Sequence, residues 1–258
     1  MPVMQWRQRV RVWRRWLRRV WIAAGVSFMA WLVWSMAPHD VPPAMYEASA
    51  AVRVESLDTA MVFEPRSPRA GALPIVFLPG GGVSPYAYVP FVRRWADDGH
   101  PVALVYLPWR MALSASSQAE VWRRVDAVAA RWPGRPFVLG GHSRGAALAA
   151  KFAVRHHQQL AGLLLVGTTH PRDDDLSGLR LPVLKVEGTR DCVAPPEQSR
   201  ANAWRLPATA IRAVIDGGNH AQFAHYGSQL GDCRPAISRE EQQRQAHERI
   251  RTWLTSVP

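Results

Sequence analysis

The sequence is poor in cysteine and in lysine, and it has no acidic residue among its first 37 positions. Two cysteines are too few for the cysteine-rich ligand sets of structural zinc sites, so we predict no metal and no other cofactor. The absence of an internal repeat excludes solenoids and propellers. A length of 258 residues with 48% hydrophobic content suits one large α/β domain with a sizeable core.

The positive charge is concentrated at the N-terminus. A formal net charge of +12 is typical of nucleic-acid-binding proteins. Residues 1–37, however, hold seven of the arginines: Arg7, Arg9, Arg11, Arg14, Arg15, Arg18 and Arg19. The other residues have a net charge of only +5, with Lys151 and Lys185 as their two lysines. We interpret this small excess of positive charge as compositional bias, and we predict no nucleic-acid partner.

Residues 1–40 form a basic leader followed by a predicted membrane anchor. Val20 to Pro38 contain no charged residue, and tryptophans lie near both ends of this run, as in an interfacial belt. Because the arginines precede the run, the positive-inside rule keeps the N-terminus in the cytoplasm. In the inner membrane of a bacterium, residues 41–258 would then lie in the periplasm.

A cleaved signal peptide is the alternative to an anchor. Ser35-Met36-Ala37 has the small-x-small form of a cleavage site, which would release a secreted protein. Pro38 follows at once and restricts the backbone there, and the basic region is long, so the sequence favours an uncleaved anchor. Residues 37–50 have the composition of a linker.

Residues 41–258 alternate short apolar runs with helical patterns. Predicted strands lie at 52–54, 61–63, 74–78, 102–106, 137–139, 163–166, 183–186 and 211–215. Predicted helices lie at 86–98, 118–132, 145–156 and 197–204, and a last one begins at Ser238, which forms a capping box with Glu241. This alternation predicts a mostly parallel sheet with helices on both faces.

Gly141-His142-Ser143-Arg144-Gly145 joins a predicted strand to a predicted helix. This is the context of a nucleophile elbow, a tight turn that lifts a serine above the sheet and leaves no room for side chains at the glycines. A serine N-cap after a glycine turn is the simpler interpretation. Ser143 is therefore a candidate nucleophile whose assignment depends on its partners.

Two residues beyond later strands complete the order serine, acid, histidine. Asp191 follows the strand at 183–186, and His220 follows the strand at 211–215, both at the edge where active sites of such sheets form. Other candidates are the acids Asp173, Asp174, Asp175 and Asp216 and the histidine His225. His142, beside the serine, cannot easily reach its hydroxyl.

An oxyanion formed at Ser143 needs two backbone donors. The N–H of Arg144 is one, and Gly81 or Gly82, after the strand at 74–78, supplies the other. A phosphate-binding loop is excluded here, because the lysine and hydroxyl residue that must follow its glycines are absent.

Four stretches, "FLPGGGVSPYAYVPF", "GGHSRGA", "EGTRDCVAP" and "GGNHAQFAHYG", resemble the α/β-hydrolase superfamily across residues 50–258. They are most similar to compact bacterial hydrolases near the dienelactone hydrolases and small carboxylesterases. The resemblance implies an eight-stranded sheet and a Ser143–Asp191–His220 triad. Only about a dozen residues separate the "GTT" that ends the sixth strand from Leu181, so no cap domain is expected. Dienelactone hydrolases use cysteine as nucleophile, so their substrate is not implied.

The two cysteines flank the predicted catalytic loops. Cys192 follows Asp191, and Cys233 lies in the loop after His220, so a triad would bring them close enough for a disulfide outside the cytoplasm. Two unrelated free thiols are the alternative.

The predicted activity is hydrolysis of small carboxylic esters or related acyl compounds by a membrane-tethered serine hydrolase, through an acyl-enzyme. An acyltransferase with the same triad and a non-catalytic binding module of this fold are the alternatives. The natural acyl group and the oligomeric state have no signal in the sequence.

Overall fold

The computed structural model describes residues 2–258, with side chains from residue 11 onward. The body is one eight-stranded sheet in the order β1-β2-β4-β3-β5-β6-β7-β8. Its strands are β1 (Val52–Ser56), β2 (Ala60–Pro65), β3 (Ile75–Leu78), β4 (Val102–Val105), β5 (Phe137–His142), β6 (Leu160–Val166), β7 (Val183–Gly188) and β8 (Ile211–Ile215). The pairs β1–β2 and β2–β4 are antiparallel and all others are parallel, which confirms the predicted fold class.

Helices cover both faces of the sheet. Those of the body are α2 (Val89–Asp97), α3 (Ala115–Ala129), α4 (Arg144–His156), α5 (Pro196–Ala201) and α6 (Arg239–Leu254), and α1 (Pro2–Ser35) precedes them in the chain. Trp95 of α2 and Trp253 of α6 pack into the core on one face. Val125 of α3 and Phe152 of α4 pack into the core on the other. The N–H of Glu241 donates to the Ser238 hydroxyl at 3.2 Å, as predicted for the start of α6.

Several predicted boundaries differ from the structure by a few residues, and two of these differences have a clear local reason. Strand β5 does not stop at its glycines but runs on to His142, and a side chain at Gly140 would crowd Phe77 and Leu164 of the neighbouring strands. The helix predicted from Tyr86 begins at Val89, after a 3-10 turn. Pro90 fits there because proline has no backbone N–H, and an N–H in the first turn of a helix has no acceptor within the helix.

Helix α1 is long and apolar enough to be a membrane span or a signal sequence. Met1 lies outside the described residues, as do the side chains of residues 2–10, including Arg7 and Arg9. Residues 11–31 are exposed, and Ser35 is the first buried residue.

The segment predicted to be a linker is instead held against the body. Nη1 of the buried Arg93 in α2 donates to the carbonyls of Ala44, Met45 and Glu47, at 3.2, 2.7 and 2.6 Å. A short 3-10 helix at Pro43–Tyr46 presents two of these carbonyls. The connection between α1 and the sheet is therefore fixed in place.

Candidate active site

Ser143 lies at a strained turn between β5 and α4. Its φ of 53° is in the left-handed region, which a residue with a side chain adopts only at a cost. The flanking glycines explain how the turn packs: a Cβ at Gly141 would meet the carbonyl carbon of Gly145, and one at Gly145 would meet the carbonyl oxygen of Leu78. The turn thus projects Ser143 from the carboxyl edge of the sheet.

Asp191 and His220 form a buried pair at the same edge. Oδ2 of Asp191 lies 2.8 Å from Nδ1 of His220, and both side chains are almost fully buried. The other carboxylate oxygen, Oδ1, accepts the backbone N–H groups of Val193 at 3.0 Å and Ala194 at 2.6 Å. With both oxygens occupied, the carboxylate cannot rotate freely, so it holds the imidazole in one orientation.

Asp232 supports both of these loops and was not singled out from the sequence. Its carboxylate accepts the N–H groups of Ala221 and Cys233, each at 2.9 Å. It also accepts longer bonds, of 3.4 Å, from the N–H groups of Cys192 and His220. No motif marks it, because its role depends on contacts between two separate loops.

The other predicted acids and bases make different contacts. His225 lies 3.3 Å from Oε1 of Gln243, and no carboxylate in the described chain bonds to its ring. Asp216 accepts the Thr189 hydroxyl at 3.0 Å within a turn. The three acids Asp173, Asp174 and Asp175 lie in the loop between β6 and β7, and within the described chain none of them is hydrogen-bonded to His220. Among these candidates, Asp191 is the acid that contacts a histidine at this edge.

His142 lies against His220 with its ring turned into the protein. The two ring centroids are 4.4 Å apart. The Tyr88 hydroxyl accepts the Gly80 N–H at 2.9 Å and shares a hydrogen bond with Nδ1 of His142, at 2.7 Å. Burial, followed by the charge of His220, lowers the pKa of His142 well below its usual value of 6.5. His142 is therefore a neutral side chain, and the Tyr88 hydroxyl links it to residues 79–84, which we call the glycine loop.

Ser143 and His220 are not joined by a hydrogen bond in the described chain. Such bonds are often long in free hydrolases and shorten when substrate binds. Ser143 and His220 are nevertheless close in space. Ser143 directly follows His142, and the ring of His142 lies against the ring of His220.

The glycine loop provides one free backbone donor near Ser143. The N–H of Gly82 already donates to the Arg110 carbonyl at 2.8 Å, so Gly82 is corrected as an oxyanion candidate. Within residues 2–258 the N–H of Gly81 has no hydrogen-bond acceptor. A Cβ at Gly81 would lie 3.2 Å from that of Arg144, whose N–H is at the start of α4 and has no partner within the helix. In the described structure the N–H groups of Gly81 and Arg144 therefore stay free on two residues that lie close together.

A small polar cavity opens beside Ser143. Its volume is about 260 Å³, and its lining includes Arg144, Gly167, Thr168, Thr169, Arg172 and Ala194. No helix or strand is inserted between β6 and β7, so this side of the site has no cap domain. The cavity is open to solvent, and Ser143 itself belongs to its lining.

Cys192 and Cys233 form a disulfide, as predicted, with their Cα atoms 5.3 Å apart. The bond joins the loop that carries Asp191 to the loop that follows His220. Together with Asp232, it braces the two halves of the buried pair against each other.

The comparisons with known proteins agree with this fold. The sequence model of the alpha/beta hydrolase family matches residues 74–244. The chain belongs to the alpha/beta hydrolase family. A putative dienelactone hydrolase from Klebsiella pneumoniae superposes on this alpha/beta hydrolase with a TM-score of 0.55 and 19% identity, covering 79% of this chain and 98% of that one. A bacterial membrane phospholipase A superposes with a TM-score of 0.58 and 15% identity, covering 96% and 98%. Both likenesses concern the fold.

One curated relative is a much longer protein than this chain. This alpha/beta hydrolase is 26% identical over 121 residues to a non-reducing polyketide synthase from Nectria sp, a match that covers 44% of this chain. The chain spans only 6% of the length of that synthase. The similarity therefore concerns a single part of a much larger protein.

Proposed function

We propose that the chain is a serine hydrolase that cleaves esters of small acyl groups. Ser143 Oγ attacks the ester carbonyl while Nε2 of His220 takes its proton. His220 then returns the proton to the leaving alcohol, and Asp191 holds the imidazole throughout. The N–H groups of Gly81 and Arg144 stabilise the oxyanion. Water, activated in the same way, releases the acid from the acyl-enzyme.

The buried Asp191–His220 pair is the observation that carries this proposal. A carboxylate bonded at 2.8 Å to a histidine, beside a serine on a strained turn, is the arrangement that nucleophilic catalysis by serine needs. A module kept only for binding would have no use for it. The small cavity beside Ser143 supports a short acyl group.

We further propose that α1 anchors the enzyme in the inner membrane of a bacterium, with the body in the periplasm. The arginines precede the apolar part of α1, which favours a cytoplasmic N-terminus. A disulfide is stable outside the cytoplasm, which agrees with this orientation.

Labelling with a fluorophosphonate probe tests the mechanism. The wild-type chain should be labelled, and Ser143→Ala should not be. The same variant should have a kcat lower by about 10⁴-fold or more. Ser177→Ala, which changes an exposed serine elsewhere, is the matched control and should behave as wild type. Labelling of the Ser143→Ala variant would exclude Ser143 as the nucleophile, and an unlabelled wild type would favour a binding module.

A panel of soluble 4-nitrophenyl esters tests the acyl group. Acetate and butyrate should be hydrolysed with a higher kcat/KM than octanoate or palmitate, because the cavity is small and uncapped. A preference for the long chains would contradict this assignment of the cavity.

A further inference from the structure

The end of α1 is hydrogen-bonded to two loops of the candidate site. The N–H of Ser84, at the end of the glycine loop, donates to the Met36 carbonyl at 2.9 Å. The N–H of Gly227, in the segment that follows His220, donates to the Ser35 carbonyl at 2.8 Å. The membrane-facing end of α1 is thus in direct contact with the edge of the sheet where the catalytic residues lie.

Two further contacts strengthen this attachment. The N–H of His39 donates to the His225 carbonyl at 2.7 Å. A Cβ at Gly227 would lie only 3.1 Å from the Ser35 carbonyl oxygen, so a side chain there would press on the end of the helix. Arg93 fixes the residues that follow, as described above.

The length of α1 brings this edge close to the bilayer. The uncharged helical stretch from residue 20 to Ser35 is about 24 Å long at 1.5 Å per residue. A hydrocarbon core is about 30 Å thick. If α1 crosses it, Ser35 lies at or within the surface of the bilayer, and the loops bonded to it lie there too.

An exposed apolar loop lies on the same edge. We call residues 107–114 the rim loop; its Trp109 is 94% exposed and its Leu113 is 67% exposed. Trp109, Arg110 and Ala112 all have positive φ, at 52°, 56° and 49°. This strained backbone holds two large apolar side chains out of the body, and strain of that kind is found where function requires it.

The rim loop is tied to the site and thereby to α1. Its Arg110 carbonyl accepts the N–H of Gly82, two residues before the Ser84 N–H that bonds to Met36. Nη2 of Arg144 donates to the Ala112 carbonyl at 2.7 Å. An exposed tryptophan beside an exposed arginine suits the surface of a membrane, where each side chain has an apolar part and a polar end.

We propose that the rim loop binds the surface of the bilayer, and that the substrate is an ester held there. The small acyl group would enter the cavity at Ser143, while the alcohol part stays in the lipid. The bilayer would then cover the site that no cap domain covers. This inference rests on the proposed serine-hydrolase function and on the anchoring role of α1.

The test uses the full chain reconstituted in phosphatidylcholine vesicles. One substrate is hexadecyl acetate in the bilayer, and its hydrolysis is measured by the acetate released. The other substrate is 4-nitrophenyl acetate in water. The variant is Trp109→Ser with Leu113→Ser, neither of which lines the Ser143 cavity. The matched control is Trp204→Ser, an exposed tryptophan that lies near the first residue of β8, at the opposite edge of the sheet.

The double variant should release acetate from hexadecyl acetate on the order of tenfold more slowly, the factor that burial of one apolar side chain is worth. Its activity on 4-nitrophenyl acetate should stay within about twofold of wild type, which also shows that it folds. Trp204→Ser should match wild type on both substrates. A polarity-sensitive dye on Trp109→Cys should shift to the blue in vesicles, and the same dye on Trp204→Cys should not.

Several results would overturn the inference. These are an equal loss on both substrates, no loss on either, or a wild type that cleaves only the soluble ester. A loss that appears in native membranes but not in pure lipid vesicles would indicate a protein partner instead. If wild type and Ser143→Ala cleave 4-nitrophenyl acetate equally, the proposed function itself fails.

Discussion

Oδ2 of Asp191 accepts the only hydrogen bond that the described structure gives to the ring of His220. Replacing this carboxylate with an amide keeps the shape of the site but presents a donor to Nδ1, which favours the wrong tautomer of the histidine. Asp191→Asn should therefore lower kcat by about 10⁴-fold while the chain stays folded. Ester hydrolysis and circular dichroism measure the two effects. Asp173→Asn, an exposed acid in another loop, should stay near wild type; the reverse pattern would assign the acid to that loop.

Gly81→Ala should damage the oxyanion site. The added methyl would lie 2.9 Å from Sδ of Met111 and 3.2 Å from Cβ of Arg144, between the two proposed donors. Loss of one donor costs roughly 10² to 10³ in kcat, and we expect a change in kcat rather than in KM. Gly178→Ala is the matched control, because nothing lies within 4 Å of the methyl it would add. Equal kinetics for the two variants would argue against a donor at Gly81.

Acid should destabilise the fold through His142. Its pKa in the folded chain is below 6.5, its ordinary value, so the unfolded chain binds more protons between the two values. The free energy of unfolding therefore falls as pH drops below about 6.5, by at most about 1.4 kcal/mol per pH unit from this one group. Urea unfolding of the full chain in detergent at pH 7.5 and 5.0 measures the loss.

His142→Gln should remove that part of the pH dependence. Glutamine keeps a polar side chain at this position but does not titrate, and so the variant should lose less stability between the two pH values. The neighbouring groups Tyr88 and His220 are unchanged, so the difference belongs to position 142. Parallel losses in variant and wild type would place the acid sensitivity elsewhere.

Reduction should lower the stability of the chain and its activity together. The Cys192–Cys233 bond links residues 41 positions apart, and a loop of that length is worth about 4 kcal/mol from the entropy of the unfolded chain. Melting temperatures with and without a phosphine reductant measure this, and thiol alkylation of the native protein checks that the bond exists. A Cys192→Ser, Cys233→Ser variant is the control and should not respond to reductant.

The sequence indicated the sheet and the residues of the candidate site for different reasons. The strands are covered on both faces, so their apolar runs, such as residues 163–166, are visible without knowledge of their neighbours. Ser143 is marked by glycines that its own turn requires. Asp232 and the bond between Tyr88 and His142 have no such local signal, because they depend on loops far apart in the chain.

The choice between Gly81 and Gly82 illustrates the same limit. Two adjacent glycines are equivalent in a sequence, and the difference between them comes from the Arg110 carbonyl, which takes up the N–H of Gly82. The attachment of α1 is a similar case. Its apolar composition predicts a helix, but its contact with the loops of the site involves backbone groups, which are the same for every residue type.

The bonds from Ser84 and Gly227 to the end of α1 also have a consequence for biosynthesis. Met36 leaves the ribosome long before Gly227, so a signal-anchor would already be in place when the loops of the site are made. Those loops would then complete their hydrogen bonds against a helix end that the membrane holds still. Insertion would in this way come before these bonds form, and a chain that failed to insert would form them against a helix end that is free to move.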